Sequence, residues 1–153
     1  MVQVKKMAFS TDFSENADQA FELAFDLAKK YRARLFLIHV VPPLVFPSPT
    51  MEEFISEQAN YQFIEQVIQR SMEQMESRYV QRMGDYNDVQ VRVLSGHPAS
   101  ELLNFIDQEQ LDLVVMGTHG FTGLAHFFLG STAEKVVRRA KCSVLTVRAP
   151  AGK

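Results

Sequence analysis

Two stretches of this chain, Arg34–Val41 and Leu111–Met116, are almost entirely apolar, whereas Val89–Leu94 alternates apolar and polar positions. A nearly continuous apolar run is typical of a strand that is covered on both faces, and alternation is typical of a strand with one face in water. Two further strands are predicted at Val4–Ser10 and Ser143–Arg148. The chain is therefore expected to contain five strands.

Between these strands, apolar residues recur three or four positions apart, which predicts amphipathic helices. The helices are expected at Glu15–Tyr31 with Ser14 as its N-cap, from Met51 to about Met83, from Pro98 to about Gln110, and after Ser131. Ser131-x-x-Glu134 has the spacing of a capping box. The predicted inner face of the last helix is formed by Ala133, Val136, Val137 and Ala140. The predicted apolar stripe of the second helix is formed by Phe54, Ile55, Ala59, Ile64, Val67, Ile68, Met72, Met75 and Tyr79.

Strands that alternate with helices predict an α/β fold in which an open, parallel sheet carries helices on both faces. Right-handed crossovers limit the possible strand orders. The alternating third strand belongs at an edge, and the apolar second and fourth strands belong inside. The order 3-2-1-4-5 satisfies both conditions. At 153 residues the chain is most simply one domain, residues 1–153.

This order reverses the winding of the chain between the first and fourth strands. Open parallel sheets bind ligands beyond the carboxyl ends of the strands at such a reversal. Ser10, Thr11 and Asp12 arrive there from the first strand, and the loop that begins at Gly117 arrives from the fourth. We therefore expect a binding site between these two segments.

The segment 117–132 is rich in glycine. It holds four of the seven glycines in the chain, Gly117, Gly120, Gly123 and Gly130. Glycines let main-chain N–H groups approach an anion, and the first turn of the next helix adds free N–H groups. Ser131 and Thr132 would add hydroxyl donors. The alternative is that these glycines serve only turns and helix packing.

Sequence motifs of known phosphate-binding loops limit which kind of anion site this segment can form. Neither G-x-x-x-x-G-K-[ST] nor G-x-G-x-x-G occurs in the chain. A P-loop with its phosphate lysine and a nicotinamide site therefore have no support.

Asp12 and Val40 are the candidates on the other side of the crevice. Asp12 could accept hydrogen bonds from ribose hydroxyls, or it could simply form the turn ahead of the first helix. Opposite a phosphate loop, the ribose role is favoured. The main chain at Val40 could bind an adenine edge, although the side chain alone indicates a core position.

The histidines and the single cysteine, Cys142, form no recognisable metal or catalytic pattern. His119 and His126 are seven residues apart in a loop, which is not a metal-ligand spacing. His39 lies in an apolar strand and is predicted to be a core residue. Cys142 is predicted to be a buried, inert thiol. We expect no metal held by protein ligands and no covalent catalysis.

Composition narrows the classes of partner. The net charge is −2, whereas nucleic-acid-binding proteins usually carry a basic face. No apolar run approaches the roughly 20 residues that span a bilayer, and the first residues lack the apolar core of a signal peptide. We therefore expect a cytoplasmic protein with no nucleic-acid partner and no membrane insertion.

Over nearly its whole length, the chain resembles the ATP-binding branch of the universal stress protein family. The family motif G-x2-G-x9-G-[ST] is met by Gly117, Gly120, Gly130 and Ser131. The segment STDFSENA at Ser10–Ala17 and the segment LIHVV at the end of the second strand are also typical. At Ser10, ATP-binding relatives often have proline.

The resemblance implies a Rossmann-like, adenine nucleotide α-hydrolase-like fold with the strand order given above. It implies ATP as the ligand, with Mg²⁺ or Mn²⁺ bridging the phosphates and held mainly by the ligand's oxygens. Asp12 would lie at the adenosine near Val40, and the glycine-rich segment would wrap the ribose and phosphates. The candidate binding residues are Ser10, Thr11, Asp12, Val40, Met116, Gly117, Thr118, His119, Gly120, Phe121, Thr122, Gly123, Gly130, Ser131, Thr132 and Ala133.

The resemblance also implies a nucleotide-dependent regulator in the stress response, acting through an unidentified protein partner. Family members commonly form homodimers by pairing their last strands, here Ser143–Arg148, which would cover an exposed edge. Two alternatives stay open. One is slow ATP hydrolysis or autophosphorylation on Ser131 or Thr132, and the other is a nucleotide-free dimeric adaptor. The sequence shows no general base and no phosphate lysine, which disfavours turnover.

Overall fold

The computed structural model describes residues 3–45, 57–119 and 129–148. Five strands alternate with four helices over this part of the chain. In chain order the elements are β1 Lys6–Thr11, α1 Glu15–Tyr31, β2 Arg34–Val41, α2 Glu57–Arg78, a 3₁₀ turn Val80–Arg82, β3 Val89–Ser95, α3 Pro98–Glu109, β4 Leu113–Gly117, α4 Ser131–Arg139 and β5 Ser143–Val147.

The five strands form one parallel sheet in the order β3-β2-β1-β4-β5. This is the predicted order, and it confirms the edge position of the alternating strand β3. β1 pairs with β2 on one side and with β4 on the other, in register Ser10 to Ile38 and Ser10 to Met116. The winding of the chain therefore reverses between β1 and β4.

Alternate residues of the strands build two separate cores. Phe9, Leu37 and Val115 face one side of the sheet, where they pack with α1 and the end of α2. Ala8 and Ile38 are among the residues that face the other side, under α3 and α4. Because consecutive side chains of a strand point to opposite faces, the apolar runs of β2 and β4 supply both cores at once.

Helix α1 meets the sheet through a row of alanines. Ala17, Ala20, Ala24 and Ala28 recur every three or four residues and are at most 2% exposed. Such small side chains let the helix lie close to β1 and β4. Ser14 caps the helix as predicted, because its Oγ accepts a hydrogen bond from the Ala17 N–H at 3.2 Å.

Helix α2 packs on the sheet through its second half only. Its buried residues are Ser71 and Met75, and Tyr79 follows directly after its end. Tyr61 and Phe63, in the first half, are 65% and 49% exposed. Among the described helices, including this one, none is long and apolar enough to cross a membrane.

Several predicted boundaries were wrong. β1 begins at Lys6 rather than Val4 and extends to Thr11, which pairs with His39. β5 ends at Val147 rather than Arg148. β4 begins at Leu113 because the Asp112 carboxylate accepts hydrogen bonds from the N–H groups of Lys5 and Lys6, at 2.7 and 2.9 Å.

Two predicted inner faces were also partly wrong. Val137 is 44% exposed, because it lies about 100° around α4 from the buried Val136. In α2, Met72 is 38% exposed. Of the predicted apolar stripe of that helix, Phe54 and Ile55 lie outside the described residues.

We predict that Ala20→Leu lowers the free energy of unfolding by about 1–3 kcal/mol, since the larger side chain cannot fit between α1 and the sheet. Gln19→Leu places the same side chain at the neighbouring exposed position and should change stability by less than about 0.5 kcal/mol. Urea unfolding of both variants checks this. Equal losses would show that the alanine row is not a close contact.

Candidate functional site

A cleft of about 290 Å³ opens at the carboxyl ends of β1 and β4. Its volume is near the lower end of the roughly 300–1,000 Å³ that is usual for small-molecule sites. The lining comes from the end of β1, the start of α1, the end of β2, the start of α3, the end of β4 and the start of α4. The residues are Ser10, Thr11, Asp12, Ala17, Val40, Pro98, Met116, Gly117, Thr118, His119, Gly130, Ser131, Thr132 and Ala133.

Twelve of the sixteen candidate binding residues line this cleft. The other four, Gly120, Phe121, Thr122 and Gly123, lie outside the described residues. Ala17 and Pro98 line the cleft without having been predicted to do so. Pro98 begins the helix after β3, so its position follows from the rule that the carboxyl ends of parallel strands share one edge of the sheet.

Asp12 is exposed, although it stands between the buried residues Thr11, Phe13 and Ser14. Its Oδ1 accepts a hydrogen bond from the Ser14 N–H at 3.0 Å, so the residue does form a turn. Among the described residues, Oδ2 has no hydrogen-bond partner. Both predicted roles are therefore compatible, since the turn uses one oxygen and leaves the other to a ligand.

Thr11 turns its polar groups inward. Its hydroxyl lies 2.8 Å from the Tyr79 hydroxyl and accepts a hydrogen bond from the Phe13 N–H at 2.9 Å. Its carbonyl lies 2.9 Å from Nδ1 of His39. Thr11 therefore borders the cleft, but its hydroxyl and carbonyl already have partners inside the protein.

His39 is hydrogen-bonded, but it is only partly buried, so the prediction of a core residue was wrong in part. A carbonyl can only accept, so Nδ1 carries the proton in the contact with Thr11. The imidazole also lies against Phe13, with the ring centroids 4.4 Å apart. Burial lowers the pKa of His39 below its ordinary value, against smaller opposing effects of the Thr11 carbonyl and Asp12.

The start of α4 differs from the predicted capping box. Gly130 is the N-cap, with no side-chain capping bond, and Ser131 is the first helical residue. The Gly130 N–H donates to the Thr118 carbonyl at 2.7 Å. This contact holds Gly130 at the N-cap position that was predicted for Ser131. The Glu134 carboxylate pairs with Arg138 instead of reaching back. As a result, the hydroxyls and N–H groups of the first turn are not consumed by a capping box.

The loop after β4 is held from two directions. Thr118 donates its N–H to the Val147 carbonyl at 3.0 Å, and its Oγ1 lies 2.8 Å from His119 Nδ1. From α1, the Asn16 amide donates to the His119 carbonyl at 2.8 Å. A Cβ on Gly117 would come within 2.8 Å of this amide, which explains the glycine. Asn16 was not predicted, and only its place in the STDFSENA segment pointed to it.

The charge of the described lining is carried by few groups. Asp12 is its one acidic residue, and it includes no lysine or arginine. In the described parts of the chain, no three His, Cys, Asp or Glu side chains are grouped so as to hold a metal ion. Anion attraction at the β4 side must therefore come from main-chain N–H groups and from the first turn of α4.

Cys142 lies outside the cleft. It is only partly buried, contrary to the prediction of a buried thiol. Burial nevertheless raises the pKa of the thiol, which reduces its reactive thiolate form.

Sequence comparison gives a family match over nearly the whole chain. A family model described as "Universal stress protein family" matches residues 3–148. Universal stress protein MJ0531 of Methanocaldococcus jannaschii is 34% identical over 151 residues, which is 95% of this chain and 83% of that protein.

Solved structures of similar proteins share the fold. The structure of hypothetical protein MJ0577 has a TM-score of 0.83 at 24% identity, covering 99% of this chain and 100% of its own. A universal stress protein in complex with cAMP has a TM-score of 0.61 at 25% identity, covering 95% of this chain and 98% of its own. The α/β architecture is thus common to all of these chains.

We predict that His39 titrates below the ordinary midpoint of about 6.5 for histidine, because burial disfavours its charged form. The neutral form is favoured in the folded state, so its contribution to stability is complete above about pH 6.5 and is lost as the pH falls through the lower, folded-state pKa. NMR titration of the ring protons measures the midpoint. A value above 6.5 would contradict the burial argument.

Proposed function

The chain belongs to the universal stress protein family, and we propose that it is an ATP-binding member that acts as a nucleotide-dependent regulator. The observation that carries this proposal is the convergence of the family motif with one cleft. Gly117, Gly130 and Ser131 of the motif line it together with Asp12 and Val40. The related protein in complex with cAMP supports an adenine nucleotide as the ligand class.

Each part of the nucleotide has a fitting environment in this proposal. The adenine lies at the end of β2, where Val40 borders the cleft. The ribose hydroxyls donate to Oδ2 of Asp12, since Oδ1 is occupied by the Ser14 N–H. The phosphates lie at the first turn of α4, where Ser131 and Thr132 offer N–H and hydroxyl donors.

A divalent ion fits this arrangement only as part of the nucleotide. The described lining has one carboxylate, Asp12, and we place it at the ribose rather than at the phosphates. Mg²⁺ usually keeps several waters and is bound through phosphate oxygens in nucleotide sites. We therefore propose that Mg²⁺ or Mn²⁺ arrives with ATP and neutralises part of its charge.

Regulation would follow from the position of the cleft between two covering layers. α1 leaves β1 on one face of the sheet, and α4 follows β4 on the other. A nucleotide that contacts both would favour whichever arrangement binds it better, and only by its differential affinity. A protein partner that distinguishes the two arrangements would then sense the nucleotide.

We predict that ATP with MgCl₂ stabilises the protein by about 2.7 kcal/mol at 100 times the dissociation constant. Gly130→Val should weaken binding at least about tenfold, because even a bare Cβ lies 3.2 Å from the Thr118 carbonyl. If the first turn of α4 is displaced, it would lose a charge-assisted hydrogen bond to the phosphates, which is worth about 1.5–3 kcal/mol. Calorimetric titration and thermal unfolding measure both effects.

Gly84→Ala is the control for this experiment. Gly84 has a φ of 57° and precedes β3 in the chain. It lies towards the amino ends of the strands, whereas the cleft lies at their carboxyl ends. Its substitution strains the main chain without touching the site, so affinity should stay unchanged. If Gly130→Val binds ATP as well as the parent, the phosphate assignment is wrong. If the parent binds no adenine nucleotide, the nucleotide-free adaptor is favoured.

We also propose that the protein forms a homodimer through β5. In the described sheet, β5 has a neighbour on one side only. The Ser143 N–H donates to Asp112 and the Val147 carbonyl accepts from Thr118, so both of these residues face β4. In a parallel ladder, the main-chain groups of alternate residues face opposite sides. Val144 and Thr146 therefore offer theirs to a second copy.

For the dimer, we predict that Thr146→Pro gives a monomer, because proline removes an outward N–H while leaving the β4 ladder intact. Thr146→Val keeps that N–H and should remain dimeric. Sedimentation equilibrium separates the two states. A parent protein that sediments as a monomer would refute β5 pairing.

A further inference from the structure

A line of hydrogen bonds leads from the end of α2 to the first strand. Arg78 binds the Asp18 carboxylate twice, through Nε at 2.9 Å and through Nη2 at 2.6 Å. The Tyr79 hydroxyl donates to Oδ1 of Asp18 at 2.9 Å and lies 2.8 Å from Oγ1 of Thr11. The Phe13 N–H donates to the same Oγ1 at 2.9 Å. None of Arg78, Asp18 and Tyr79 lines the cleft.

The chemistry of the groups fixes the direction of every hydrogen bond in this line. The Asp18 carboxylate, paired with a guanidinium, can only accept, so the Tyr79 proton points to it. The Tyr79 oxygen must then accept the proton of Thr11, whose oxygen accepts from Phe13. Burial raises the pKa of Tyr79 well above its ordinary value, which keeps the phenol protonated. Such a line is cooperative, because each bond polarises the next.

Tyr79 cannot easily move away from this arrangement. It is fully buried, and its ring centroid lies 5.2 Å from that of Phe9 and 4.8 Å from that of Phe21. The Phe13 ring is stacked on it at 6.3 Å. Phe13 has a φ of 65°, which is unusual for a residue other than glycine. The aromatic core thus holds the hydroxyl in place and supports a strained neighbour of Asp12.

We propose that Tyr79 is a positioning residue for the nucleotide, acting on Asp12 from outside the cleft. Asp12 is the exposed residue between Thr11 and Phe13, and a hydrogen bond from the Phe13 N–H to Oγ1 of Thr11 closes the turn around it. Tyr79 holds that oxygen. The proposal rests on the proposed nucleotide function, since it assigns Asp12 to the ribose.

One consequence is a link between the ligand and helix α2. Arg78 and Tyr79 stand at the junction where α2 ends, and the same hydrogen bonds that orient Asp12 attach this junction to α1. Coupling between two sites is reciprocal. A nucleotide bound at Asp12 therefore stabilises the contact between α2 and α1, and a change that weakens this contact lowers the affinity for the nucleotide.

The test compares two tyrosines that differ in location. Tyr79→Phe removes a hydroxyl with two hydrogen bonds near the cleft. Tyr86→Phe removes a hydroxyl that bonds the carbonyls of Ala28 and Ala33 at the opposite edge of the sheet. Both variants should lose stability in urea unfolding. Calorimetric titration with ATP and MgCl₂ should show affinity about three- to tenfold weaker for Tyr79→Phe and unchanged for Tyr86→Phe.

A double-mutant cycle distinguishes an effect of Tyr79 on the position of Asp12 from a general loss of stability. In an Asp12→Ala background, Tyr79→Phe should cause no further loss of affinity, because its effect is transmitted through that carboxylate. Thr11→Val keeps the shape of the side chain but removes the hydroxyl, and it should reproduce the loss even if Tyr79→Phe folds poorly. Equal affinity of Tyr79→Phe and the parent, or an equal loss in Tyr86→Phe, overturns the proposal.

Amide hydrogen exchange gives a readout that needs no ligand. The Phe13 amide should exchange faster in Tyr79→Phe than in the parent and be unaffected by Tyr86→Phe. If the parent binds no nucleotide, the proposed function fails while this measurement still decides whether Tyr79 orders the Asp12 turn. An unchanged Phe13 amide rejects the positioning role in either case.

Discussion

The reversal of the chain between β1 and β4 is the constraint on which the rest of the structure depends. Two neighbouring strands send their helices to opposite faces of the sheet, and in the described parts of the chain a cleft opens beyond the carboxyl ends of these strands. The apolar strands β2 and β4 favour this arrangement, since both of their faces must be covered. The cleft is therefore a product of core burial, and the residues that border it need only carry the right polar groups.

The parts of the fold that could be predicted are those that depend on pattern. The apolar run of β2 and the alternation of β3 were enough to place one strand inside and the other at the edge. The reversal then gathered residues as distant in sequence as Asp12 and Ser131 into one cleft. Val137 and the start of α4 were predicted wrongly. The choice between Gly130 and Ser131 as N-cap depends on a tertiary contact with the Thr118 carbonyl, which no local motif contains.

The hydrogen bonds behind the cleft were beyond sequence analysis for a related reason. Tyr79 fits an apolar helical stripe. The hydrophobic pattern depends on its aromatic ring and gives no information about its hydroxyl group. Its polar partners, Thr11 and Asp18, lie 68 and 61 positions away. Asn16 likewise meets His119 across 103 positions. Periodicity reports which side of an element is buried, but it does not report which two polar groups meet there.

The start of α4 has a consequence for the entropy of binding. A lysine that fixes a phosphate gives up rotamer freedom of about 2 kcal/mol, whereas the N–H groups of a helical first turn are already immobile before any ligand arrives. The described lining contains no such long cationic side chain. Binding an anion here would therefore cost little conformational entropy. The entropy of these N–H groups was already lost when the chain folded.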